Sequence, residues 1–298
     1  MRAVIDHAAH TPYSDPGRHA DLVAALPVDP AALSAIARNV IEHYRASAHE
    51  LPEANLREVN SRWLERILDA DQSRHPGPLA APRELATRVP GCCRDHTLFC
   101  VAALRTHGVP ARSRVGYAGY FIDGWHSDHV IVEAWIDGRW RHFDSELEAP
   151  HAGVPDPLDI PTDEPGGRGF VTAAAAWAAY RRGDLDAERH GVDPNVPVHR
   201  GPRFVFDEVI YEVAHRFGDE LLLWDAWGRI GEPGTPVSDD DATWMDGVAE
   251  LLLAADAGDL EAERTLLGRY RADAGLHPGE TVVQASPFGD AAITVSLA

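Results

Sequence analysis

The sequence predicts a mixed α+β fold, and three observations carry that reading. From Cys93 to Gly108 apolar side chains recur at helical spacing, residues 129–136 and 139–146 are strand-like runs joined by Asp137-Gly138, and amphipathic helical patterns flank both. Such periods imply helices packed on an antiparallel sheet.

In chain order, Asp29-Pro30 opens a helix carrying Leu33, Ile36, Val40, Ile41 and Tyr44, proline being suited to a first helical turn. A second helix is expected near 57–70 from Val59, Trp63, Leu64, Ile67 and Leu68. Pro90-Gly91 stops that region. The next helix starts at Cys93, repeats Leu98, Val101, Ala102 and Leu104, and ends at Gly108 with Pro110 beyond. Ser113 to Ile122 reads as the first strand, followed by a loop through Asp123-Gly124, His126 and Asp128. The Asp137-Gly138 turn then sets Ile136 opposite Arg139 and Ile131 opposite Asp144. Residues 150–169 are a Pro-, Gly- and Asp-rich linker. Helices are expected near 171–182, 204–217 and from about 241 to 273, with strands at Val282-Val283 and at Ile293 to Leu297. Three parts follow: a helical N-terminal part (1–84), a catalytic core (85–150) and a mainly helical C-terminal region (151–298) that completes the cleft.

The chemistry concentrates between residues 91 and 144. Cys93 sits in the first turn of its helix, where unpaired N–H groups and the positive dipole end favour a thiolate, and where its own N–H can serve an oxyanion. His129 and Asp144 fall on the same face of the hairpin, one diagonal step apart. A carboxylate so placed fixes the tautomer of the imidazole and stabilises its charged form. Glu133 shares that face and is the second carboxylate to weigh. Cys92 is a neighbour of the nucleophile, Cys100 reads as a buried core thiol, and His96, His107 and His142 read as supporting polar groups.

The stretch Gly91-Cys92-Cys93-Arg94-Asp95-His96, then Leu104 to Arg112, Val115-Gly116-Tyr117, His129 to Trp140 and Phe143-Asp144 resembles the core of the transglutaminase-like superfamily. The resemblance implies a papain-like core in which Cys93 is the nucleophile, His129 the base and Asp144 the orienting acid. It further implies cysteine-dependent acyl transfer on an amide or thioester, without a cofactor. The expected substrates are peptides, amines or acyl thioesters, including acyl groups held on a carrier protein. Two positions depart from the usual pattern: Ile131 where an aromatic residue is usual, and Ser145 in place of a proline after the aspartate.

Two other readings stand beside this one. His126, Asp128, His129 and His142 are of the types that hold a hydrolytic zinc. A transglutaminase-like fold can also serve as a non-catalytic binding protein.

The chain has 298 residues, a net charge of −20 and no lysine, all 27 basic residues being arginine. So negative a surface disfavours nucleic acid and anionic membrane as partners. No apolar run reaches membrane-spanning length, and the first residues carry no signal-peptide core. With three cysteines, two of them adjacent, the expected location is the cytoplasm, where a free thiol persists.

Overall fold

Asp29 caps its helix as expected, its carboxylate accepting the Ala32 N–H at 2.9 Å. The computed structural model describes residues 4–47, 50–151, 153–154, 156–162 and 167–297. A one-turn helix α1 (Ala20–Ala24) precedes α2 (Pro30–Val40), which buries Leu33, Ala37 and Val40. The helix ends at Val40, and the chain passes into β1 (Ile41–His43), which pairs in parallel with β2 (Val89–Gly91). Ile41 and Tyr44, expected on the helix, lie on β1 and just beyond it, because their backbone partners are on β2; Tyr44 N–H donates to the Gly91 carbonyl at 2.9 Å.

The helix expected at 57–70 is split into a 3-10 stretch, Glu53–Asn60, and α3 (Leu64–Arg74). The break has a local cause. The carbonyls of Ser61 and Arg62 accept hydrogen bonds from the buried Arg94 guanidinium instead of from later helical N–H groups.

Helix α4 (Cys93–Thr106) packs on β3 (Ala111–Ile122) and β4 (Trp125–Ile136), which is followed by β5 (Arg139–Phe143). Asp137 and Gly138 take φ values of 54° and 78°, the left-handed pair that a two-residue hairpin turn requires, and Ile136 stands opposite Arg139. Two expected boundaries move. Asp123-Gly124 makes another tight turn with Ile122 opposite Trp125, so His126 and Asp128 are strand residues and not loop. β5 stops at Phe143, because the Asp144 N–H turns away to the Pro157 carbonyl at 2.9 Å.

Then come β6 (Phe170–Thr172), α5 (Ala173–Arg182), β7 (His190–Gly191), α6 (Pro202–Arg216) and β8 (Asp225–Ala226). The chain continues with α7 (Asp239–Asp256), α8 (Leu260–Ala272), β9 (Thr281–Gln284) and β10 (Ile293–Ser296). The central sheet has the order β5-β4-β3-β6, with β7 beside β4, and β8, β9 and β10 form a separate sheet. Gly116 allows β6 to come close, since a Cβ there would lie 2.2 Å from the Val171 carbonyl oxygen. The fold is thus the expected mixture of helices and antiparallel sheet.

Alternation along the strands divides the core. Val115, Tyr117, Val130, Val132 and Phe143 join α4 and α6 in the main apolar cluster, which runs from Tyr13 to Val282. Ala118, Tyr120 and Ile131 join Leu147, Ile160 and Phe170 in a smaller one. Buried ion pairs connect distant parts of the chain: Arg62 Nε meets Asp225 Oδ2 at 2.8 Å, and Arg105 Nη1 meets Glu220 Oε1 at 2.7 Å.

Candidate active site

Cys93 is the first residue of α4, and the residues around it form the helix start. The Cys92 N–H donates to Asp95 Oδ2 at 2.9 Å, while the Cys92 side chain caps the third N–H of the helix. Gly91 makes room for this, since a Cβ there would stand 2.9 Å from Asp95 Oδ2 and 2.7 Å from Ile41 Cγ2. Arg94, in the first turn of α4, is 1% exposed. Its guanidinium donates to the Glu220 carbonyl, with Nε at 3.0 Å, and so fixes the helix start to the C-terminal half.

One turn further along α4, the Thr97 hydroxyl donates to the Val130 carbonyl at 2.9 Å. Residues four apart share a helix face, with Cβ atoms about 5–6 Å apart. The Thr97 bond ties α4, one turn past Cys93, to β4 at Val130, the residue after His129.

His129 and Asp144 meet directly, with Nε2 2.7 Å from Asp144 Oδ2. Both are buried. The Tyr120 hydroxyl donates to the same oxygen at 2.8 Å, and the Glu146 N–H donates to Asp144 Oδ1 at 2.9 Å, so both carboxylate oxygens are satisfied. Burial alone would lower the His129 pKa. The Asp144 charge and hydrogen bond, helped by Glu146 and Asp128, outweigh it and raise the pKa to about 9. Phe121 stands edge-on to the His129 ring, with centroids 4.9 Å apart.

The thiol departs from expectation. The adjacent Cys92 side chain together with burial raises the Cys93 pKa well above the ordinary thiol value. Helix-end stabilisation is thus outweighed by a neighbour and by loss of water. Cys100 is fully buried, and desolvation pushes its pKa up to about 12.

Glu133 does not reach His129. It joins Arg112, with Arg114 Nη1 at 3.2 Å and His142 Nε2 at 3.2 Å, and the two arginines hold its pKa well below the carboxylate range against the opposing effect of burial. These groups line a cavity of about 560 Å³ with His7, Trp140 and Asp256, and His129 is not among its lining residues.

The alternative zinc set is not assembled. His126 and Asp128 alternate onto the strand face opposite His129, His126 stacks on His190 with centroids 4.4 Å apart, and His142 belongs to Glu133. Among the described residues, the cluster with metal-like spacing is His129, Asp144 and Glu146, whose ligand atoms lie within 4.8 Å of one another. His129 is engaged with Asp144, and Glu146 Oε1 lies 3.1 Å from His96 Nδ1 as an ion pair.

Sequence reasoning missed Tyr120 and Glu146. Tyr120 lies on the sheet face of His129, a relation that needs the β3–β4 register. Glu146 is two residues past Asp144, in a turn that the expected longer strand concealed.

Residues 31–145 match the profile of the Transglutaminase-like superfamily. None of the curated proteins matches this chain. A solved structure, that of a candidate cysteine protease from Cytophaga hutchinsonii, is 19% identical over 47% of this chain, with a TM-score of 0.31. The match spans 40% of that protein, and at this similarity it carries no argument. The helix bearing Cys93 and the strands leading to Asp144 all fall within the matched span, and residues 31–145 of this chain form a transglutaminase-like core.

Proposed function

We propose that the chain is a cysteine-dependent acyl-transfer enzyme acting on an amide or thioester, with Cys93 as nucleophile, His129 as acid and base, and Asp144 as the group that orients His129. The observation that carries this reading is the 2.7 Å contact of His129 Nε2 with Asp144, which leaves Nδ1 as the ring nitrogen for the thiol. His129 and Cys93 both tend to hold a proton in the resting state. The His129 tendency comes from a direct ion pair. That of Cys93 comes from the adjacent Cys92 side chain and from burial.

In the forward step the neutral fraction of His129 takes the Cys93 thiol proton on Nδ1 and becomes imidazolium, the sulfur attacks the carbonyl carbon, and charge develops on the carbonyl oxygen towards the Cys93 N–H. Imidazolium His129 protonates the departing amine or thiol. Neutral His129 then takes a proton from the acceptor, an amine or water, as the acyl group leaves Cys93.

The chemistry is assigned to residues 85–150, with 1–84 leading into it and 151–298 closing the cleft. Expected substrates are peptides, amines or acyl thioesters, including carrier-bound ones, whereas a charge of −20 suits neither nucleic acid nor anionic membrane. Among the described residues no helix is long and apolar enough to cross a membrane. Three free buried cysteines fit a reducing compartment such as the cytoplasm.

The test is a panel of peptide amides and acyl thioesters offered with and without an amine, followed by intact mass. An acyl adduct on Cys93, absent from Cys93→Ala, is the expected result. Turnover by Cys93→Ala equal to wild type removes the cysteine mechanism.

A further inference from the structure

A second carboxylate–imidazole contact lies beside the first. Glu146 Oε1 is 3.1 Å from His96 Nδ1 and 3.8 Å from His43 Nε2. His96 is 2% exposed and ringed by acceptors: Nδ1 is also 3.0 Å from the Cys92 carbonyl oxygen, and Nε2 is 3.2 Å from the Ile41 carbonyl oxygen. A neutral imidazole has one N–H, so acceptors at both nitrogens call for the imidazolium. His43 is the reverse case. Its Nδ1 accepts the N–H groups of Arg45 at 3.1 Å and Ala46 at 3.0 Å, which puts its only proton on Nε2, towards Glu146.

The carboxylate therefore meets one cation and one neutral donor. Burial would discharge His96, but the Glu146 carboxylate 3.1 Å away overcomes it and raises its pKa. Burial likewise opposes the Glu146 charge, and His43, His96 and His129 together hold that carboxyl at about 2. The charged or titratable groups facing the pair are His43 and Arg45 from the β1 region, Asp95, Cys92 and Cys93 on α4, Asp128 and His129 on β4, and Asp144.

The Cys92 carbonyl, which accepts the backbone N–H groups of Asp95 at 3.0 Å and His96 at 3.2 Å and is met by the His96 ring as well, belongs to the same peptide unit as the Cys93 N–H. A peptide unit is planar and its C=O and N–H point in opposite directions, so fixing one end fixes the aim of the other. We propose that His96 and Glu146 are positioning residues that orient the Cys93 N–H as the oxyanion donor: Glu146 keeps His96 doubly protonated, and His96 holds the Cys92–Cys93 peptide plane. The idea rests on the reading of Cys93 as an acylated nucleophile.

Its test exploits a reaction that builds no oxyanion. Glu146→Gln and His96→Gln should each lower acyl-transfer kcat on the order of 10- to 100-fold, with KM nearly unchanged. The plateau rate of Cys93 alkylation by iodoacetamide at high pH should stay near wild type. Glu146→Asp should recover part of kcat, and the double variant should be no worse than the poorer single one. In the unaltered protein, the His96 ring followed by NMR should remain charged through neutral pH, a readout that needs no variant to fold. An unchanged kcat, an equal fall in alkylation and acyl transfer, or a His96 that titrates as an ordinary histidine overturns the proposal. Failure of the underlying reading is distinguishable, since it shows as full turnover by Cys93→Ala.

Discussion

The Tyr120 hydroxyl stands 2.8 Å from Asp144 Oδ2, the same oxygen that receives His129. A carboxylate with two donors on one oxygen is held in place, but it shares its charge between them. Tyr120→Phe should thus cost about 1.5–3 kcal/mol of stability for a buried bond to a charged group. It should also move the alkaline limb of activity upward, because Asp144 then acts more fully on His129. Urea unfolding and a pH–rate profile check the two halves separately, and a limb that moves downward contradicts the shared-charge argument.

The two carboxylates on the His129 strand face have different partners, which separates their roles. Asp144→Asn should reduce turnover about a hundredfold or more, by permitting the wrong imidazole tautomer and removing a charge, with modest loss of stability. Glu133→Gln strips a buried partner from Arg112 and Arg114, and should destabilise the fold by about 3–5 kcal/mol while sparing the rate per folded molecule. Steady-state kinetics on protein quantified by active thiol, beside a denaturation series, distinguishes the pair. Equal turnover by Asp144→Asn and wild type is the contrary result.

Stability should depend on pH at both ends. The His129 pKa of about 9 exceeds the ordinary 6.5, so its contribution is whole below 6.5 and is lost as pH rises through about 9. Glu146 lies at about 2 against an ordinary 4.5, so its contribution is whole above 4.5 and is lost as pH falls through about 2. Urea midpoints measured across this range should fall at each end. His129→Gln should flatten the decline between neutrality and pH 9, and a variant curve parallel to wild type there counts against the Asp144 ion pair.

Cys93 should be slow to alkylate in the resting protein at mildly acidic pH, since the adjacent Cys92 side chain and its burial favour the thiol. Cys92→Ala removes the first of these causes. Iodoacetamide labelling followed by peptide mass mapping should then show faster modification of Cys93 at neutral pH than in wild type. Unchanged or slower labelling means that Cys92 does not restrain the nucleophile.

The sequence by itself determined what local chemistry controls. Asp137-Gly138 dictated a two-residue turn and hence the Ile136–Arg139 register, Asp29-Pro30 dictated a capped helix start, and Pro90-Gly91 followed by the α4 periodicity put Cys93 at a helix N-terminus. From those the pairing of His129 with Asp144 could be read, because strand alternation fixes faces once the register is known. Tertiary structure decided everything that depends on atoms distant in the chain. The Arg94 guanidinium broke the helix expected at 57–70, and the Pro157 carbonyl ended β5 at Phe143. Ion pairing took Glu133 away to Arg112 and Arg114, alternation turned His126 away from His129, and burial with Cys92 reversed the expected acidity of Cys93. Periodicity and turn residues act through neighbours along the backbone, whereas desolvation and buried charge act through whatever the folded chain brings alongside, and sequence spacing carries no measure of that.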